Sequence, residues 1–349
     1  GLYRYLDDGD RVLLKVNLLM KKSPEEATTT HPVFVKALSD ILIESGYKVL
    51  IGDSPGGPFN HKALSGIYKA CGYDEYYGQG SDMLNWNFES EEIKNDNCKM
   101  LKNMTVVDFL NDVDKVISVS KLKTHGMMKF TGAVKNMFGA IPGVLKAQYH
   151  FTLPRHEDFA DMLIDVCINA NPVLSFMDGI VGMEGAGPSS GSPINIGAVI
   201  ASNSPYDLDR VAVEMLGIKA KSVPTVAKSI ERKLTFENLD DIEILGVDYR
   251  EFTPETFEVP DMRGIEFLNR GLPNFLNNLI TPRPIFDFEK CIGCGECFRA
   301  CPPKAIRMIE HKPHVNLSEC IRCYCCQELC PAIAVEIHTP WLMKKISKL

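Results

Sequence analysis

Eight cysteines in two runs constrain this chain more than any other feature. Cys291, Cys294, Cys297 and Cys301 are spaced C-x2-C-x2-C-x3-C and followed by Pro302. Cys320, Cys323, Cys326 and Cys330 repeat the spacing and are followed by Pro331. Three thiolates two residues apart fit one tight loop and bind three corners of a [4Fe–4S] cube, while the fourth, just before proline, ligates the other cube. The expected sets are therefore Cys291, Cys294, Cys297 and Cys330 for one cluster, and Cys320, Cys323, Cys326 and Cys301 for the other. Zinc sites take cysteine pairs rather than such triplets. Disulfides need an oxidising compartment, and nothing here reads as a secretory signal. With a thiolate on every iron, no iron is left open for substrate, so the expected work of the clusters is electron transfer. Cys325 falls outside the repeat and reads as a spare thiol against the cluster loop. Cys71, Cys98 and Cys167 read as ordinary core or surface thiols.

The 349 residues allow two unequal domains. Apolar residues make up 45% and charged residues 24%, the balance of a soluble globular chain, which points to the cytoplasm. A net charge of −7 argues against nucleic-acid binding. No apolar run approaches the roughly 18 residues that a membrane span needs. The chain starts at Gly1 rather than Met, so further residues are expected before it. Strand-like stretches at Arg11–Asn17, Tyr47–Asp53, Val113–Ser120, Val173–Asp178 and Ile194–Ser202 alternate with helical ones. The helical stretches are Pro32–Ser45, Asn60–Ala70, Gly132–Gly139, Glu157–Asn169 and Leu208–Leu216. In the first helix Val33, Ala37, Leu38, Ile41 and Leu42 are expected on the buried face. This alternation predicts an α/β domain over 1–280, with a mostly parallel sheet flanked by helices. A linker at 281–284, a small two-cluster module at 285–338 and a tail at 339–349 complete the chain.

Ligands of open parallel sheets bind beyond the strands' carboxyl ends, where this chain places its polar residues. The first strand ends at Lys15 and Asn17, and the second runs into Asp53, Gly56 and Gly57. The third delivers Lys121, Lys123 and His125, and the fourth Asp178 and then Glu184. Lys135 and Asn136 lie in the glycine-rich segment that follows the third strand. The expected roles are catalysis for His125, Lys123 and Lys135, with His125 moving the proton. Lys121, Asn136, Asn17, Asp53, Gly56, Gly57, Asp178 and Glu184 are expected to bind substrate. Duller roles exist for each: Lys121 and Lys123 as a solvated pair, His125 or Asp53 as caps. Gly185-x-Gly187-x-x-x-Gly191 has the wrong spacing for a dinucleotide site.

The segments KLKTHGMMKFTGAVKNMFGAIPG (121–143), GDSPGG (52–57) and MDGIVGMEGAGPSSG (177–191) resemble the bacterial and archaeal family called domain of unknown function 362, in its form fused to a ferredoxin module. The resemblance runs from KVNLL (15–19) to the last cysteine. It implies an iron–sulfur protein of unassigned reaction, with some twenty or more residues before this start. The large domain is also distantly similar to nickel-dependent lactate racemases around Lys123 and His125. That family's Asp-Asp…Thr-Arg-Pro segment is absent here.

These observations lead to an oxygen-sensitive oxidoreductase, relaying single electrons between a ferredoxin, flavodoxin or reductase partner and a small anionic substrate in the α/β domain. A further, unidentified cofactor in the α/β domain belongs to the same expectation. An electron carrier without chemistry of its own, and a racemase-like enzyme with structural or sensing clusters, are the alternatives.

Overall fold

The structure is a computed structural model that describes residues 1–260, 281–338 and 340. Its frame is a mostly parallel sheet. Strands β1 (Arg11–Lys15) and β2 (Lys48–Gly52) pair in parallel and are joined by helix Pro32–Glu44. A separate hairpin, β3 (Ser90–Lys94) with β4 (Asn103–Val107), follows; its half-exposed alternation gave no signal in the sequence reading. Next come β5 (Lys115–His125), β6 (Lys129–Thr131), β7 (Leu174–Glu184) and β8 (Ser192–Ser202). The order is β2-β1-β5-β7-β8. β1–β5 and β5–β7 are parallel, β7–β8 is antiparallel, and β6 folds back antiparallel on the end of β5.

Both faces of the sheet are covered, as a parallel sheet requires. Leu13 and Leu50 pack on one face with Phe159, Met162 and Leu163 of helix His156–Ala170. Val12, Leu14 and Ile51 face the other way, against Val35, Leu42, Leu64 and Tyr68. The register of the helix Pro32–Glu44 differs from expectation. Val33 and Ile41 are exposed, at 48% and 53%, and the buried face is Val35, Ser39 and Leu42. The helix leans on the sheet by an i, i+4, i+7 stripe one step round from the most apolar one.

β5 also runs further than expected, through to His125, because β6 and β7 both pair with its second half. Lys121, Lys123 and His125 therefore stand inside a strand, on one face by the two-residue repeat, and all are buried.

In the small module, Arg283–Phe286 pairs antiparallel with Val335–His338, and Ile306–Ile309 with Lys312–Val315. Of the segment 281–284, Thr281 is fully buried and Arg283–Pro284 open a strand. The tail 339–349 lies outside the described residues except for Pro340.

The chain turns from β1 to β2 on one side and crosses to β5 on the other. The carboxyl ends of β1 and β5 thus border the switch-point crevice where open sheets hold ligands. A buried pair ties its floor together. Lys15 Nζ lies 2.7 Å from Asp53 Oδ1 and donates to the carbonyls of Val16 (2.7 Å) and Asn136 (3.0 Å). Asp53 Oδ2 accepts from the Leu18 N–H at 2.8 Å. Removing one member of such a pair leaves the other charge buried and alone. Lys15→Ala should therefore cost about 3–5 kcal/mol, read as a lower midpoint in anaerobic denaturant unfolding. Lys15→Met with Asp53→Leu should recover most of the loss.

Candidate functional site

The eight cysteines of the two runs gather into two groups around two small voids. One void is lined by Cys291, Cys294, Cys297 and Cys330, the other by Cys301, Cys320, Cys323 and Cys326. Each group thus takes its fourth thiol from the other run. Among the described residues, no three or more His, Cys, Asp or Glu converge on a single-ion position. The two loops repeat one another. Gly293 and Gly295 of the first have positive φ, as do Arg322 and Tyr324 at the matching places of the second. The Ala305 N–H donates to Cys301 Sγ and the Ala334 N–H to Cys330 Sγ, both at 3.2 Å. Cys325 is buried beside Cys326, outside both groups.

A cavity of about 260 Å3 lies at the carboxyl edge of the sheet, between the two domains. The α/β domain lines it with Asn17, Asp53, Gly56, Gly57, Lys135, Asn136, Lys146 and His150. The module lines it with Glu296, Arg299 and Ala300 from the first run and Cys325, Glu328 and Leu329 from the second. Glycine keeps this seam tight, and it is needed at Gly143, where a Cβ would meet backbone. A Cβ on Gly56 would stand 2.8 Å from Leu329, and one on Gly143 2.4 Å from the carbonyl of Gly57.

Most charges on the wall are matched. Asp53 has Lys15, and the Arg299 guanidinium lies 2.6 Å from Glu296. Lys146 is different: it donates to the carbonyls of Ser54 (2.5 Å) and Ile141 (2.7 Å), with no carboxylate among the described residues in contact. Burial pushes its ammonium down to about 7, against the pull of Asp53. Lys135 sits over the Phe138 ring, 5.7 Å from its centroid, and burial lowers its pKa too.

Lys123 and His125 stand behind this wall and not in it. Lys123 Nζ donates to Asn17 Oδ1 (2.8 Å) and the Thr28 carbonyl (2.6 Å), and burial with Lys135 nearby lowers its pKa to about 7. His125 Nδ1 accepts the N–H groups of Met127 (3.0 Å) and Met128 (3.2 Å), so the ring proton belongs on Nε2. Nε2 lies 2.9 Å from Glu328 Oε1 on the module. Burial lowers the His125 pKa to about 4, and the residue is 1% exposed. His125 thus meets the module through Glu328.

Lys121 is likewise withdrawn: it pairs with Asp178 at 2.7 Å, both 1% exposed, and Asp178 also accepts the His31 N–H. Glu184 accepts the Glu258 N–H at 2.8 Å and does not line the cavity.

Lys146 and His150 were missed by the sequence reading. Both lie on helix Gly143–Thr152, one turn apart, with Ala147 between them on the same cavity-facing stripe. Their i, i+4 spacing just after the glycine-rich segment was the available signal. Glu328 was passed over because the cysteines around it absorbed the motif. Glu328→Ala should leave His125 Nε2 without its partner. A buried polar group so stranded costs about 1–3 kcal/mol, read as a lower unfolding midpoint with the visible cluster absorption unchanged.

The description of domain of unknown function 362 fits residues 12–214, and that of a 4Fe–4S dicluster domain fits residues 283–331. The chain belongs to the domain of unknown function 362 family and carries two [4Fe–4S] clusters. A thylakoid-associated protein of Synechocystis sp. is 30% identical over 280 residues, 80% of this chain and 84% of that one. The lactate racemase apoprotein of Thermoanaerobacterium thermosaccharolyticum is 14% identical, with a TM-score of 0.38 over 61% of this chain and 51% of its own. A structural-genomics target from Thermotoga maritima is 14% identical, with a TM-score of 0.36 over 65% and 56%. The chain spans roughly half the length of these solved structures, and likenesses this slight carry no argument about chemistry. Among the described residues, no helix is long and apolar enough to cross a membrane.

Proposed function

We propose that this member of the domain of unknown function 362 family is an oxidoreductase that exchanges electrons between its two [4Fe–4S] clusters and a small anion held in the interdomain cavity. One observation carries this reading: the helices of both cysteine runs form a wall of that cavity. A ligand there touches residues adjacent to thiols of both clusters. The clusters supply one-electron chemistry; the chain's own side chains bind and orient the ligand. Lys135 and Lys146 supply positive charge that no contacting carboxylate among the described residues neutralises, and an anion is the ligand that relieves it. Asn136, Gly56 and Gly57 also line the cavity. Lys123, Lys121 and His125 act through structure, by holding Asn17, Asp178 and Glu328 in place. Crossed ligation, with Cys330 serving the first triplet and Cys301 the second, belongs to the same proposal and is supported by the thiol grouping.

Anaerobically reconstituted protein should hold about eight irons. Cys330→Ser should alter the electron paramagnetic resonance signal of one cluster, and Mössbauer analysis of the Cys291→Ser, Cys330→Ser and double variants should show the same cluster affected in all three. Damage to different clusters would sink the crossed assignment.

An anion close to both clusters disfavours adding an electron to either. Redox titration with and without a saturating oxyanion such as sulfate should therefore lower the midpoint potentials, and Lys146→Met should abolish the shift. Potentials indifferent to a bound anion would leave the protein an electron carrier alone. The pH dependence has a definite sign. Lys146 is charged below about 7 and loses its proton above it, so anion affinity should fall as pH rises through that value.

A further inference from the structure

The cavity is larger than a small oxyanion needs. An apolar hole of about 150 Å3 takes a benzene ring, and a tetrahedral oxyanion is no bigger than that ring. The cavity of about 260 Å3 therefore leaves room for a body attached to the charged head. Apolar side chains bound that room. Leu19, Pro58 and Ala147 come from the α/β domain, Ala300 and Leu329 from the module, and none of the five is buried. Leu19 and Leu329 both flank Gly56. The Gly56 N–H donates to the Leu19 carbonyl at 3.2 Å, and Leu329 Cδ2 lies 2.8 Å from where a Gly56 Cβ would stand. Among the described residues, neither leucine belongs to a hydrophobic core of the sheet or of the module. Leu19 carries a second signal. Its φ is 42°, a left-handed conformation that glycine and asparagine adopt readily and leucine does not. Residues held in such conformations cluster at ligand sites. Glycine or asparagine would hold the same backbone at less cost, and neither would supply apolar wall.

We propose that the ligand is an organic anion with an apolar body, its carboxylate or phosphate head held by Lys135 and Lys146 and its hydrocarbon part packed on Leu19 and Leu329. A wall of apolar side chains with a few placed charges is the usual make-up of a small-molecule site. Both domains contribute to each part, so the body as well as the head lies against the cluster module. The inference rests on the anion-site reading above and goes beyond it by naming the class.

The test uses the full chain with clusters in place, under anaerobic calorimetry at neutral pH. Acetate, butyrate and hexanoate form one series, and methyl, butyl and hexyl phosphate the other. Affinity should rise about threefold or more per added methylene in at least one series, the gain expected from burying apolar surface. The tighter series identifies the head group. Leu19→Asn suits the left-handed backbone and replaces the apolar surface, so the rise should flatten. Equal binding along both series, or a rise untouched by Leu19→Asn, overturns the apolar-body inference and leaves the anion site standing. The wild-type series decide even if the variant does not fold. No binding of any of these anions overturns both readings.

Discussion

The site hangs on the buried Lys15–Asp53 pair. It joins the carboxyl ends of β1 and β2 to the glycine-rich segment at Asn136, and these three pieces make the floor of the cavity. Buried charges are costly unless paired and hydrogen-bonded, and here each partner is fixed by further contacts, the Leu18 N–H for Asp53 and two carbonyls for Lys15. Gly139 is part of the same constraint. A Cβ there would fall 2.0 Å from Asp53 Oδ1, so the segment can approach the pair only without one.

The same rule explains why β5 is so highly charged yet so deeply buried. Lys121 has Asp178, Lys123 has Asn17 and the Thr28 carbonyl, and His125 has Glu328. Each contact reaches a different piece: the neighbouring strand, the loop after β1, and the cluster module. β5 is the beam to which the rest of the site is fastened. In the proposed function the charges on β5 position the site, and Lys135, Lys146 and His150, which line the cavity, sit on the two short helices after it.

Joining the cluster module to the sheet edge also sets the local electrostatics. Glu328 lies between cluster thiols and the α/β cations; burial raises its pKa, but contact with His125 and the charge of Lys135 outweigh that and hold its carboxyl below the usual range. Its carboxylate offsets part of the positive charge of Lys135 and Lys123, and Lys146 has the more distant Asp53. In the proposed function, that asymmetry makes one end of the cavity the place for an anion.

The cysteine spacing determined the cofactor by itself, because ligation of a cube depends on a few bonds within one loop. The alternation of strands and helices likewise determined the α/β class, because it reports burial on a local period. The sequence also placed Asp53, Gly56, Gly57, Lys135 and Asn136 at the right edge of the sheet, since strand direction alone decides that. Tertiary structure decided which cations are open. Lys121 and Lys135 look alike in sequence, and only the position of Asp178 on a strand 57 residues later separates a paired lysine from a free-facing one. The second wall was also beyond the sequence. Glu328 meets His125 only when the module packs against the sheet, a long-range contact that no local pattern encodes.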